Sequence, residues 1–395
     1  METGCSTKRK VLFVIESLGC GGAEKSLVSL LSLLDKSRYD LYIWMIHPEG
    51  AFLSFLPAGV EIVEQPRYNL FQSFLLKLSL CLYSVRWRMN SLFKRMEYWG
   101  ETYYKSIGWA TKVPKGKWDV VFAYHQGLVT YIVADNFTNS KKVGWVNADI
   151  FKTGYNIKYN SGFYRRFDCI CPVSDALHDL MDKKMPEFSN KYYTIWDIIN
   201  PSVTLELAKH AIEKLRKEND EYVIVTTGRL HVLKGYDMAV GAAMFLKQKG
   251  LKFKWYFIGD GPQRCEIEQQ INMLGLQNNV RLLGMKVNPY PYMAQCDVYV
   301  QTSRHEGFGM TIAEAKILGV PIVSTNFDVV YDQITHEENG LIAEMSAESI
   351  SEQIHRLLVD ERLREHITDT LLKEENCTSR TEVKKVEQLI DMLTA

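Results

Sequence analysis

The feature that most constrains the fold of this 395-residue chain is a rhythm of short apolar runs alternating with helix-length segments. In the first half the runs fall at 11–17, 41–47, 60–64, 119–125, 142–146 and 169–173. In the second half they fall at 223–227, 254–258, 280–283, 298–302 and 321–325. Runs of this length, rich in β-branched and aromatic residues, read as strands. Parallel neighbours need a crossover of a dozen or so residues, usually a helix, so the alternation predicts parallel sheets covered by helices. The chain is long enough for two cores, and Asn200-Pro201 makes a junction because proline restricts the residue before it. The expected architecture is therefore α/β, with Rossmann-like domains at 1–200 and 201–378. A C-terminal helix is expected within 379–395.

Composition removes several function classes. Lys and Arg total 47 against 47 Asp and Glu, so no net charge points to nucleic acid. The eight cysteines are scattered without a Cys-x-x-Cys pair, which argues against a metal site and fits a reducing cytoplasm. Lys8-Arg-Lys10 precedes an apolar run, but Glu16 interrupts it, favouring a buried first strand over a signal peptide. No window reaches the apolar length of a spanning helix. Residues 67–117 break the rhythm: Arg67, Lys77, Arg86, Arg88, Lys94, Arg95, Lys105, Lys112, Lys115 and Lys117 face two acids there, Glu97 and Glu101. This basic and apolar insertion suits an interfacial helix on anionic lipid. The alternative is a helical excursion packed on the sheet with a solvated basic rim.

Three turns after strands carry chemistry. The stretch from Arg304 to Ala315 places Glu306 and Glu314 eight residues apart around Gly307-Phe-Gly309, where a strand feeds its helix. The amides and dipole of a helix start suit a phosphate, and Glu314 can accept hydrogen bonds from sugar hydroxyls. Arg229 and Lys234 lie five apart on another strand-to-helix turn, two cations suited to a diphosphate leaving group. Gly19-Cys-Gly-Gly-Ala-Glu24 follows the first strand, but it lacks the full dinucleotide glycine spacing.

Taken together, Gly21-Gly-Ala-Glu24, Gly228-Arg229 with Lys234-Gly235, Phe257-Ile-Gly-Asp-Gly-Pro262 and Glu306-x7-Glu314 resemble the family 4 retaining glycosyltransferases of GT-B fold. Asp119–His125, Lys142–Asn147 and Phe167–Ser174 resemble the N-terminal half of bacterial capsular and surface-polysaccharide members. The resemblance implies two Rossmann-like domains facing an interdomain cleft, the first binding acceptor and the second binding donor. Arg229 and Lys234 would hold the donor pyrophosphate, with the amides of Gly21 and Gly22 closing over it. Glu314 would bind the ribose, while Glu306 and the amides of Gly307, Phe308, Gly309 and Met310 would position the donor sugar and its phosphate. Met285 would meet the base, His125 would stand near the transferred sugar, and Asn147 and Asp149 would face the acceptor; the alternatives are a packed, hydrogen-bonded His125 and a loop in which Asn147 and Asp149 only cap backbone groups. The implied enzyme moves a hexose or N-acetylhexosamine from a nucleotide sugar, UDP-linked, to a lipid-linked oligosaccharide. It needs no cofactor or metal and works in the cytoplasm on the inner face of the cell membrane. A GT-B epimerase and a non-catalytic sugar-nucleotide-binding partner are the alternatives.

Overall fold

The computed structural model describes residues 8–19, 21–92, 98–152, 154–212, 214–215, 221–374 and 378–395. Cys20 of the glycine turn and Lys94, Arg95 and Glu97 of the basic insertion lie outside them. The chain forms two compact units, Met1–Ile198 with Ser379–Ala395, and Ile199–Thr378. The break falls after Ile198, two residues ahead of the expected junction. Asn200 lies just inside the second unit instead: its side chain accepts from the Ser202 and Val203 amides and caps the helix Pro201–Ala208, with Pro201 in the first turn.

The first unit holds β1 (Arg9–Ile15), β2 (Tyr39–Met45), β3 (Val60–Ile62), β4 (Val120–Ala123), β5 (Lys141–Val146) and β6 (Cys169–Pro172). They form one parallel sheet in the order β3-β2-β1-β4-β5-β6. The second unit holds β7 (Tyr222–Thr227), β8 (Phe253–Ile258), β9 (Val280–Gly284), β10 (Val298–Gln301), β11 (Ile322–Thr325) and β12 (Leu341–Ala343). Its parallel order is β12-β11-β10-β7-β8-β9. Numbered within each unit, both sheets read 3-2-1-4-5-6, the doubly wound order whose switch point lies between strands one and four. Strands covered by helices on both faces read as continuous apolar runs, and Val11 to Ile15 are accordingly buried throughout. Trp255 reaches the same environment because its indole N–H donates to Thr226 Oγ1 at 2.9 Å.

The first helix spans Gly22–Leu33, so Gly22 is already helical and Gly21 is its N-cap. β12 is a strand not foreseen, since three residues give too short an apolar run to read. The C-terminal helix Thr378–Thr394 packs within the first unit. Its Val386, Leu389 and Ile390 are buried, Asp391 pairs with Arg9 and Arg38, and Glu382 accepts from the Trp196 amide at 2.8 Å.

The basic insertion forms the helices Leu70–Leu92 and Trp99–Ile107. The longer one exposes Leu70, Phe71, Phe74, Leu82, Val85, Trp87, Met89 and Leu92, Leu70 to 93%. Among the described residues no helix is long and apolar enough to cross a membrane.

Candidate active site

In the second unit both motif turns lie at the carboxyl ends of adjacent strands, one after β7 and one after β10. The β7 turn needs glycine at 235: its φ is +65° and a Cβ there would fall 2.1 Å from the Thr302 carbonyl oxygen. That close approach lets the β10 loop grip the β7 loop. Thr302 Oγ1 donates to the Lys234 carbonyl at 2.8 Å, and the Arg304 amide donates to the Leu233 carbonyl at 2.8 Å. Arg304 also forks onto Asp237 at 2.8 and 2.6 Å, a bidentate geometry that fixes the turn. Arg304 and Asp237 are thus a positioning pair that sequence reading missed.

The result is that Lys234 Nζ lies 2.5 Å from Glu306 Oε1. Lys234's stem runs along Gly228, where a Cβ would sit 3.8 Å from Lys234 Cδ. Two more donors meet the same oxygen, Gln301 Nε2 at 2.7 Å and Ser303 Oγ at 2.6 Å. Arg229 is exposed beyond β7, anchored by the buried Leu230 that follows it. No carboxylate among the described residues pairs with it. Phe308 and Met310 are buried, and Gln333 Nε2 donates to the Phe308 carbonyl, securing the turn whose Gly309 caps the helix Met310–Ile317. The first N–H groups of that helix have no intrahelical acceptor. Glu314, one turn in, is fully buried and accepts from Tyr290 OH at 2.9 Å. Burial, and then Glu314 itself, push the Tyr290 hydroxyl well above its ordinary range, so it stays a donor. Met285, just beyond β9, is exposed.

The first unit's switch point lies between β1 and β4. Continuing their register, which sets Val14 opposite Ala123, brings Glu16 opposite His125. His125 is half-buried, with Nδ1 3.0 Å from the Gln126 carbonyl oxygen. Burial raises the Glu16 carboxyl, and the nearby His125 and His47 oppose that rise. The carboxylate of Glu24 folds over the glycine turn: a Cβ on Gly21 would lie 2.3 Å from Glu24 Oε2. Asp197 is deeply buried and pushed up to about 7 by desolvation, in spite of its bond to Ser26. Ser26 in turn lies 3.0 Å from Tyr124 OH and accepts from the Ile198 amide at 3.0 Å. Asn147 ties two strand ends together, its amide N–H accepted by Gln126 Oε1 at 2.9 Å and its Nδ2 donating to the Tyr124 carbonyl at 3.2 Å. Asp149 is buried and caps its own loop, accepting from the Phe151 and Lys152 amides at 2.8 and 3.2 Å.

Comparison with known proteins places these turns in context. Residues 208–371 match the family model described as Glycosyl transferases group 1. The chain is 25% identical over 352 residues to LpsD of Rhizobium meliloti, a lipopolysaccharide core biosynthesis glycosyltransferase, covering 88% of each chain. It is 24% identical over 366 residues to a Campylobacter jejuni protein, covering 90% of this chain and 92% of that one. That protein is named N-acetylgalactosamine-N,N'-diacetylbacillosaminyl-diphospho-undecaprenol 4-alpha-N-acetylgalactosaminyltransferase. Other curated relatives match over a shorter stretch, with the chain spanning 41% and 38% of their length. Among solved structures, Anabaena HepE in complex with UDP and glucose superposes with a TM-score of 0.71 at 20% identity, over 98% of this chain and all of that one.

Proposed function

Residues 208–371 belong to the group 1 glycosyl transferases and the chain has the GT-B fold; from that premise we propose that it is a retaining glycosyltransferase of surface-polysaccharide assembly. The observation that carries the reading is the pairing of Lys234 with Glu306 at the β7/β10 switch point, with Arg229 exposed on the same β7 turn. Ligands of open α/β sheets bind at such points. The donor is a nucleotide sugar carrying a hexose or N-acetylhexosamine, and UDP is favoured because HepE is solved with UDP and glucose. The acceptor is a lipid-linked oligosaccharide of capsule, O-antigen or exopolysaccharide, in keeping with the names of LpsD and the Campylobacter relative.

In this reading Arg229 and Lys234 hold the diphosphate and stabilise the charge that builds on it as the sugar's C1–O bond breaks. The helix start at Gly309–Met310 adds its dipole. Glu314 receives the ribose hydroxyls, Met285 lies against the base, and Glu306 orients the sugar. The acceptor oxygen attacks C1 from the side the phosphate leaves, and its proton passes to the leaving phosphate oxygen. His125, Asn147 and Asp149 frame the acceptor side. The exposed apolar residues of the helix Leu70–Leu92, with the exposed Lys77, Arg86 and Arg88 among them, seat the protein on an anionic membrane as a peripheral protein.

Purified protein incubated with a panel of UDP- and GDP-sugars and lipid extract tests the reading. Labelled sugar should enter the lipid fraction with release of the nucleotide diphosphate. Binding of the sugar nucleotide with no turnover across the panel would instead make the chain a binding partner. Co-sedimentation with anionic vesicles should fall with rising salt and with Arg86→Ala and Arg88→Ala; binding insensitive to both would remove the electrostatic seat.

A further inference from the structure

Along the floor of the second unit's crevice, the hydrogens of one buried polar chain can each be assigned. Thr227 Oγ1 lies 3.2 Å from Tyr299 OH, and Tyr299 OH donates to Gln301 Oε1 at 2.6 Å. Thr311 Oγ1 donates to the same amide oxygen at 2.9 Å. Glu306 Oε1, 2.7 Å from the other end of the amide, can only accept, so Gln301 turns its Nε2 to the carboxylate and its Oε1 to the two hydroxyls. Its Nε2 then has one hydrogen for Ser303 Oγ at 2.7 Å and one for Glu306 Oε1 at 2.7 Å. Ser303, having accepted, donates its own hydrogen to Glu306 Oε1 at 2.6 Å. Tyr299 and Gln301 are buried in a strand, Val-Tyr-Val-Gln, otherwise suited to an apolar core, and Ser303 is fully buried in the loop that follows it. A buried amide is tolerated when all its groups are paired, and here the chain ends on a single carboxylate oxygen.

Lys234 is the third donor to that oxygen, at 2.5 Å. Its proposed task is to hold a phosphate, and a lysine that is a carboxylate's sole partner cannot leave without stranding a partly buried charge. Gln301 and Ser303 remove that obstacle, because two donors stay on Oε1 when the ammonium departs. Glu306 Oε2 receives none of these bonds and is left for the hydroxyls of a sugar. We propose that Gln301 and Ser303 are positioning residues that hold Glu306 in place and so release Lys234 to the donor diphosphate. The inference rests on the reading of the second unit as the nucleotide-sugar site.

Calorimetry with UDP and with GDP tests it on the full chain, using Q301L, S303A, E306Q and the doubles Q301L/E306Q and S303A/E306Q. Neither Gln301 nor Ser303 is assigned a contact with the diphosphate, yet Q301L should weaken UDP about tenfold and S303A about threefold, as coupled neighbours do. In the E306Q background both losses should nearly vanish, since no carboxylate then retains Lys234. Losses of equal size in both backgrounds would mark a merely structural role and overturn the proposal, as would unchanged affinity in the single variants. If Q301L has no cooperative melting transition, the S303A cycle decides alone. Failure of the wild-type protein to bind either nucleotide would overturn the donor reading, and this inference with it.

Discussion

The two sheets share one strand order, yet the turns after their first and fourth strands carry opposite chemistry. In the second unit the β7 turn presents Arg229 and Lys234, and Glu306, the carboxylate that meets Lys234 after β10, is held by three donors on one oxygen. In the first unit the corresponding turns present Glu16, Glu24 and His125, with Asp197 buried close to Glu24. Burial raises both Glu16 and Asp197, whereas Asp237, beside the second crevice, is lowered by its bonds to Arg304. Doubly wound topology therefore chooses where a ligand sits, and the side chains on the turns choose its charge. The cationic crevice suits a diphosphate; the acidic one suits neutral hydroxyls, which a carboxyl or an imidazole can bind.

Substitutions in the two crevices should separate along that division. Lys234→Ala should have the largest effect, lowering transfer about a thousandfold, because it removes a cation from the leaving group. Nucleotide release measured in single turnover checks this, and near wild-type turnover would remove the second crevice from the chemistry. His125→Ala should cost about tenfold in kcat, the scale of one hydrogen bond lost on the acceptor side, with the donor KM unchanged. A raised donor KM with intact kcat would erase the contrast between the units. Tyr290→Phe should raise the donor KM about fivefold and leave kcat nearly intact, since it removes one hydrogen bond from Glu314. An equal loss in kcat would show that Glu314 acts on the transition state as well as on the nucleoside.

Asp197 gives the smallest effect on activity and a clear one on stability. Its carboxyl titrates near 3.8 when unfolded and about 7 when folded, so between those values the folded state holds a proton that the unfolded state has lost. Stability therefore falls as pH rises from about 4 to 7 and is flat above, a loss on the order of a few kcal/mol. Asp197→Asn keeps the neutral state at every pH. Its melting temperature should gain on wild type progressively between about pH 5 and pH 7 and hold that lead at pH 8. A constant offset across that range would mean that Asp197 ionises as freely in the folded protein as in the unfolded chain.

Much of the fold was legible because parallel strands buried on both faces must be written as apolar runs, and 11–17 and 223–227 are such runs. β12 escaped because Leu341-Ile-Ala343 is too short to show a period, and it becomes a strand by pairing with β11. Arg229, Lys234 and Glu306 were legible as charged residues at turns where charge has no packing purpose, and Glu314 as the carboxylate one helical turn further in. Gln301, Ser303 and Tyr290 were not, since each is an ordinary polar residue until folding brings it to a carboxylate, nor was Tyr299, which folding brings to Gln301. Asp149 lay between two readings, an acceptor contact and a loop cap, and folding engages its Oδ1 with two amides of its own loop.

By itself the sequence determined the alternation of strands and helices, and which charged residues stand at strand ends, because both depend on local order along the chain. Tertiary structure decided that three donors meet on Glu306 Oε1, that Glu314 lies under Tyr290, and that Glu24 covers the turn at Gly21. Glu306 makes the reason plain: two of its donors, Gln301 and Ser303, are close in sequence, but the third, Lys234, is 72 residues away and arrives only when β7 pairs with β10.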